Sequence, residues 1–427
     1  MADTEPLLQF ETQAVHAGAV PDPATNARIT PIYQTASYVF NDAEHAANLF
    51  SLQEFGNIYT RIMNPTNDVL EKRVAALEGG AAALAVASGH AAQLVAFHTI
   101  MEPGCNIVAA NRLYGGSINQ LGQSFKKMNW QTKFVDQDDV QAISDAIDEN
   151  TRCVFIESLA NPGGIVTDIA AIADAAHAKG VPLIVDNTLA SPYLCQPLKH
   201  GADIVVQSLT KFLGGQGNSI GGIIVDGASF DWAASDKFPA LSQPNDSYHG
   251  MVMSQAFGPI AFILACRTLG LRDLGPALAP MNAFLILNGI ETLALRMERH
   301  CENAMKVAQW LQGHDQVEWV SYAGLPGDAY FDLAQKYMPK GAGAVFTFGL
   351  KGGYDAGVKL VNSVKLFSHL ANVGDTRSLV IHPASTTHSQ LDEAARVKAG
   401  AGSDVVRLSV GIENADDLIA DLAAALA

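Results

Sequence analysis

The chain carries little charge for its length, and basic residues are scarce. Charged residues are 16% of 427, with 27 Lys and Arg against 43 Asp and Glu, a formal charge of -16. It lacks the basic surface that neutralises phosphates, which argues against nucleic-acid binding. A buried site is not constrained by this, because local groups capture small anions. Cysteines are few and unpatterned: Cys105, Cys153, Cys195, Cys266 and Cys301, none within four residues of another. There is no CxxC signature, so no metal site is expected. An odd count in a large chain points to a reduced, cytoplasmic compartment. Long apolar runs are also missing. The longest, PIAFILAC at 259–266, is far too short to span a bilayer. The acidic start MADTEPLLQFETQ has no continuous apolar stretch, so neither membrane association nor a signal peptide is expected. No internal repeat or low-complexity tract interrupts the sequence.

What is present suits a well-buried globular protein with an oligomer interface. Hydrophobic residues make up 48%, and the length allows two or more domains. Up to about Arg61, Pro21, Pro23 and Pro31 break regular elements, so residues 1–62 read as an irregular arm. NPTNDVLEKRVAALEGG reads as a helix that starts at Pro65 and Thr66 and stops at Gly79-Gly80. Apolar strands then alternate with helices through AALAVA, NIVAA, KFVD, RCVFIES, VPLIVD and ADIVVQ. One helix, VTDIAAIADAAHAKG, has Thr167 as its expected cap and Ile169, Ile172 and Ala176 on one face. Such alternation predicts a mostly parallel sheet covered by helices over 63–270. From 271 to 427 the pattern changes. A helical region from Pro276 to Gly313, interrupted near Asn288-Gly289, precedes scattered strands, as in a smaller α+β domain.

In open parallel sheets, ligands bind beyond the carboxyl ends of the strands. Asp186 closes VPLIVD, and Glu157 closes its strand with Asn161 nearby. Ser208, Thr210 and Lys211 follow DIVVQ, and Ser88-Gly89 joins a strand to a helix. Each has a plain alternative. Lys211 could be a solvated loop lysine, and Asp186 a turn or cap residue. GGQGNSIGG matches a dinucleotide fingerprint only loosely and is followed by strand-like SIGGIIV. Together, however, a lysine, a carboxylate, hydroxyls and a helix N-terminus suit pyridoxal phosphate.

In the segments YTRIMNPT, ASGHAA, LYGGS, ESLANP, VDNT, SLTKFLGG, HPASTTH and VVRLSVGIE, spread over nearly the whole chain, the sequence resembles the Cys/Met-metabolism family of pyridoxal-phosphate enzymes. That resemblance implies a fold-type I, aspartate aminotransferase-like α/β architecture. It implies that Lys211 forms the Schiff base and shuttles protons, and that Asp186 pairs with the pyridine nitrogen. Tyr114 would stack on the ring and assist proton transfer. Gly89, the His90 backbone, Ser208 and Thr210 would hold the phosphate. Tyr59 and Arg61 would reach that phosphate from a neighbouring subunit, with Tyr59 also facing the substrate and taking part in catalysis. Arg407 would clamp the substrate α-carboxylate, helped by Asn161 and Asn372, and Asn161 would also approach the cofactor. Alternation in VVRLSV independently puts Arg407 on one face with Val405 and Ser409. His382 and His388, six apart, read as structural or supporting residues.

Within the family, Gly116, Asn372 and the insert FPALSQPNDSYHG resemble the O-acetylhomoserine sulfhydrylase group. The implied reaction is replacement of the acetate of O-acetyl-L-homoserine by sulfide, giving L-homocysteine. The expected partners are this ester, sulfide or another thiol, and further copies of the chain in a homotetramer built from dimers with shared sites. Alternatives are an O-succinylhomoserine sulfhydrylase, a cystathionine γ-synthase or a methionine γ-lyase. Outside the class stand a non-catalytic cofactor-binding protein and a dinucleotide-dependent oxidoreductase.

Overall fold

The computed structural model describes residues 8–161, 163–387, 389–390, 392–398 and 400–427. The N-terminal segment is more regular than its prolines suggest. It holds α1 (Phe10–His16) and α2 (Ala43–Phe50), because Pro21, Pro23 and Pro31 fall between these helices rather than inside them. Asp42 starts α2 by accepting the His45 N–H. In α3 (Pro65–Glu78), the Asn64 side chain takes the Thr66 N–H, and Pro65 occupies a first-turn position that needs no donor. Gly79 stops the helix at φ +75°.

The strands that follow are β1 (Ala82–Val86), β2 (Asn106–Ala110), β3 (Gln131–Val135) and β4 (Thr151–Glu157), then β5 (Leu183–Asp186), β6 (Ile204–Ser208) and β7 (Gly222–Asp226). They form one sheet in the order β1-β7-β6-β5-β4-β2-β3, and only β7 runs against the others. Except in the edge strand β3, where Phe134 is exposed, their apolar runs are buried, as required of strands with helices on both faces. Helix α4 (Gly89–Ile100) follows β1 and buries Ala92, Val95, Ala96 and Phe97. α5 (Gly115–Asn119) follows β2, and α6 (Val140–Ala146) follows β3. α7 (Ile169–Ala178) buries the predicted Ile169, Ile172 and Ala176. Thr167 does not cap it. The Thr167 hydroxyl instead donates to the Glu157 carbonyl at 2.7 Å, and Asp168 holds the cap position.

The apolar helical stretch 253–274 matches a membrane span in length and composition. Here it buries Ala261, Phe262, Ala265 and Cys266 in the core and pairs Arg267 with Glu71 at 2.5 Å. α8 (Pro280–Glu291) and α9 (Leu293–Gln312) come next. Their break lies at Thr292 rather than at Asn288-Gly289. Gly289 stays helical because its bare backbone packs on Gly214, whose carbonyl oxygen would lie 2.1 Å from any Cβ there.

The C-terminal sheet contains β8 (Val317–Ser321), β9 (Val345–Leu350), β10 (Ser368–His369), β11 (Leu379–Ile381) and β12 (Val405–Ser409), ordered β8-β9-β12-β11-β10. β12 is flanked by antiparallel β9 and β11. Four of its five residues are buried, and Arg407 alone is partly exposed.

Candidate active site

The carboxyl ends of β1, β4, β5 and β6 and the start of α5 converge on a cavity of about 330 Å³. Lys211, Asp186, Tyr114, Asn161, Asn372 and Arg407 all line it, as do Gly89, His90, Ser208 and Thr210. Twelve sequence-derived assignments concern two regions, and this cavity gathers ten of them. The other two, Tyr59 and Arg61, do not line it. The Arg61 guanidinium lies 5.4 Å from the Tyr59 ring centre, and its Nη1 donates to the Arg272 carbonyl.

Charge at the site is distributed without direct ion pairs. Among the described residues, no Lys or Arg pairs with Asp186 and no carboxylate pairs with Lys211. The Lys211 Nζ donates to the Asn372 Oδ1. Burial lowers its pKa, and the Arg407 charge lowers it further. Asp186 Oδ1 accepts the Thr188 N–H at 2.9 Å, and Oδ2 accepts from Gln93 Nε2 at 3.3 Å. Burial raises its carboxyl pKa against those hydrogen bonds. Glu157 pairs in register with Asp186 across β4 and β5. Burial, reinforced by Asp186, pushes the Glu157 carboxyl up to about 8. Arg407 donates from Nη1 to Asn161 Oδ1 at 3.0 Å and from Nη2 to the Asn372 carbonyl at 3.2 Å. Burial brings its guanidinium down to about 10, leaving it a cation at neutral pH.

Opposite these groups lies the N-terminus of α4. Ser88 caps it through the Ala91 N–H at 3.1 Å, and its carbonyl takes the Ala92 N–H. The first two amides, Gly89 and His90, therefore have no intrahelical acceptor. A Cβ on Gly89 would lie 2.9 Å from the Ser208 Cβ, so glycine lets this turn approach β6 closely. The His90 and Tyr114 rings stand 5.8 Å apart, and Tyr114 is half exposed. Burial lowers the His90 pKa against the Asp186 charge.

This donor set fits pyridoxal phosphate. A partly buried carboxylate without a cation suits a protonated ring nitrogen, whose charge would favour the ionised carboxylate. An amine without a counter-ion suits an aldehyde, and free helix amides beside two hydroxyls suit a phosphate. A half-exposed tyrosine offers a ring face.

His382 is fully buried, with Nδ1 on Ser385 Oγ at 3.0 Å and Nε2 on the Ser403 carbonyl at 2.9 Å. Its expected structural character is visible in those bonds. His388 lies outside the described residues. Sequence reasoning missed Thr188, Gln93 and Ser117, where Gln93 Nε2 bridges Asp186 and Ser117. Thr188 stands two residues after Asp186 in VDNT, and Gln93 one turn beyond Gly89, so both signals were available.

The family described as "Cys/Met metabolism PLP-dependent enzyme" matches residues 11–427. The O-acetyl-L-homoserine sulfhydrylase of Leptospira meyeri is 55% identical, over 97% of this chain and 96% of its own length. O-acetyl-L-homoserine sulfhydrylase 1 of Thermus thermophilus is 52% identical, over 98% of this chain and all of its own. A crystal structure of an O-acetylhomoserine (thiol)-lyase from Campylobacter jejuni, carrying N'-pyridoxyl-lysine-5'-monophosphate, superposes with a TM-score of 0.95. It is 41% identical and covers 98% of this chain and 100% of that one. The chain belongs to the Cys/Met-metabolism family of pyridoxal-phosphate-dependent enzymes.

Proposed function

We propose that this enzyme replaces the acetate of O-acetyl-L-homoserine with sulfide, releasing L-homocysteine and acetate in methionine and cysteine biosynthesis. The observation that carries this reading is the convergence of Lys211, Asp186 and Arg407 on one cavity in a chain of this family.

Pyridoxal phosphate, when bound, supplies an electron-poor ring that stores the pair left behind when a C–H bond breaks. Asp186 would hold its ring nitrogen protonated, and Tyr114 would cover a ring face. The Gly89 and His90 amides, with the Ser208 and Thr210 hydroxyls, would hold its phosphate. Arg407 forks onto the substrate α-carboxylate with two parallel hydrogen bonds. Asn161 and Asn372 fix the guanidinium at that angle.

Lys211 is the base. Burial and the Arg407 charge favour its neutral form, so Nζ can accept the α-proton, pass it on to the bound cofactor and, thus freed, accept a β-proton. Acetate leaves as the γ-carbon–oxygen bond breaks, and a γ-carbon–sulfur bond forms to HS⁻. HS⁻ adds after acetate has left, and Lys211 Nζ then returns protons to the β- and α-carbons. Acetylation matters because hydroxide is a poor leaving group.

The decisive assay supplies O-acetylhomoserine with and without sulfide, runs O-succinylhomoserine in parallel, and quantifies homocysteine and 2-oxobutyrate. Sulfide-dependent homocysteine from the acetyl ester is expected. Dominant 2-oxobutyrate with sulfide present would make the enzyme a γ-lyase.

Tyr59 and Arg61 serve the cavity of a neighbouring subunit in a homotetramer built from dimers. Support comes from their exposure outside this chain's own cavity, with Tyr59 42% exposed. Activity lost on dilution, in step with dissociation seen by sedimentation, is expected, and a fully active monomer would refute it. Five buried, unpaired cysteines support a cytoplasmic setting.

A further inference from the structure

Glu157 lies at the end of β4, 5% exposed, and lines the cavity. Its two carboxyl oxygens have different tasks. Oε1 accepts the Tyr114 N–H at 2.7 Å, and Oε2 accepts the Asn161 N–H at 3.2 Å. Among the described residues, no Lys or Arg pairs with it. A buried carboxyl group is costly without partners, and two amide donors offset part of that cost. The arrangement joins two loops that the sequence keeps far apart. Tyr114 begins the short helix α5, and Asn161 passes the connection on through its Oδ1 to Arg407 Nη1.

We propose that Glu157 is a positioning residue: its carboxyl group sets the backbones of Tyr114 and Asn161 and, through Asn161, aims the Arg407 guanidinium. One side chain thereby fixes both the ring face offered to the cofactor and the clamp offered to the substrate carboxylate. The inference rests on the cofactor reading above, but not on which ester or thiol is used.

Glu157→Gln is the informative variant. It keeps the size and one acceptor oxygen, but turns the other oxygen into an NH₂ that faces an N–H donor. The holoenzyme is compared with wild type by cofactor content, visible circular dichroism of the bound cofactor, thermal melting and steady-state kinetics. Full cofactor content and a near wild-type melting temperature are expected, together with altered dichroism. A displacement of this kind lowers kcat/KM by about 10- to 100-fold, with a raised KM for the amino-acid ester. In an Asn161→Ala background the KM effect of E157Q shrinks, because the path to Arg407 is already cut. Unchanged dichroism and KM, or fully additive effects in the double variant, would overturn the proposal. If E157Q does not fold, Glu157→Asp keeps the carboxyl group on a shorter stem and is read in the same way, with smaller changes expected. If wild type binds the cofactor but makes no homocysteine, the proposed reaction fails, while the dichroism still decides the role of Glu157.

Discussion

Asn161 Oδ1 stands 3.0 Å from Arg407 Nη1, although 246 residues separate them in the chain. The bond ties the loop after β4 to the middle of the C-terminal sheet. The Asn372 carbonyl takes the second guanidinium nitrogen at 3.2 Å, so Arg407 is held at two of its donors before any substrate arrives.

Arg407→Lys preserves the charge and removes the fork. Lysine is a point charge and cannot replace two parallel hydrogen bonds. We expect kcat/KM for the amino-acid ester to fall by roughly 100-fold, mostly through KM, with cofactor content unchanged. Steady-state kinetics at fixed sulfide measure this, and a KM within twofold of wild type would rule out the clamp.

Gly116→Ala separates activity from stability. A Cβ there would meet Tyr114 Cε1 at 2.4 Å and His90 Cε1 at 2.8 Å. Both are outer ring atoms at the rim of the cavity, so the rings shift rather than the backbone. We expect kcat/KM to drop about 10-fold or more from the displaced Tyr114 ring, with little change in melting temperature. A large loss of stability with normal specific activity in the folded fraction would contradict this.

Glu78 gives a pH prediction. It ends α3 fully buried, accepting from Asn187 Nδ2 at 2.9 Å and from Gln207 Nε2. Burial pushes its carboxyl to about 8, from 4.5 when unperturbed. Folding therefore favours the protonated form. This contribution to stability is complete below about 4.5 and is lost as pH rises through about 8. Glu78→Gln is spared that loss. Its melting temperature relative to wild type should climb by roughly 1–3 °C between about pH 6 and pH 9. A flat difference in calorimetry would mean that Glu78 is already ionised when folded.

Subunit mixing tests the shared site. Lys211→Ala and Arg61→Ala homo-oligomers should each be nearly inactive. If Arg61 acts across the interface, co-refolding the two regenerates some sites with both residues intact. Recovery of activity on mixing is expected, and none should appear if Arg61 serves its own subunit.

Much of this was readable in the sequence, for local reasons. Asp186 and Lys211 stand at the ends of apolar strands, where a parallel sheet must open to ligands, and alternation alone put Arg407 on a distinct face. Ser88 and Gly89 marked a helix start. The failures were tertiary. Nothing local says that Thr167 will prefer the Glu157 carbonyl to its own helix, or that Gly214 packs so tightly on Gly289 that the helix runs on to Thr292. Asp42 capping α2 was locally visible, but the prolines earlier in the segment, Pro21, Pro23 and Pro31, masked the signal. The two bonds of Glu157 are invisible to any periodicity, since its partner Tyr114 lies 43 residues upstream.

The Asn161–Arg407 bond also has a bearing on synthesis. Chains emerge from the ribosome N-terminus first, and domains tend to fold in that order. The groups proposed to face the cofactor, from Ser88 to Lys211, are complete while the C-terminal sheet is still unmade. Arg407 comes almost last. A nascent chain thus carries the residues proposed to hold the cofactor well before Arg407, the residue proposed to hold the substrate, has been made.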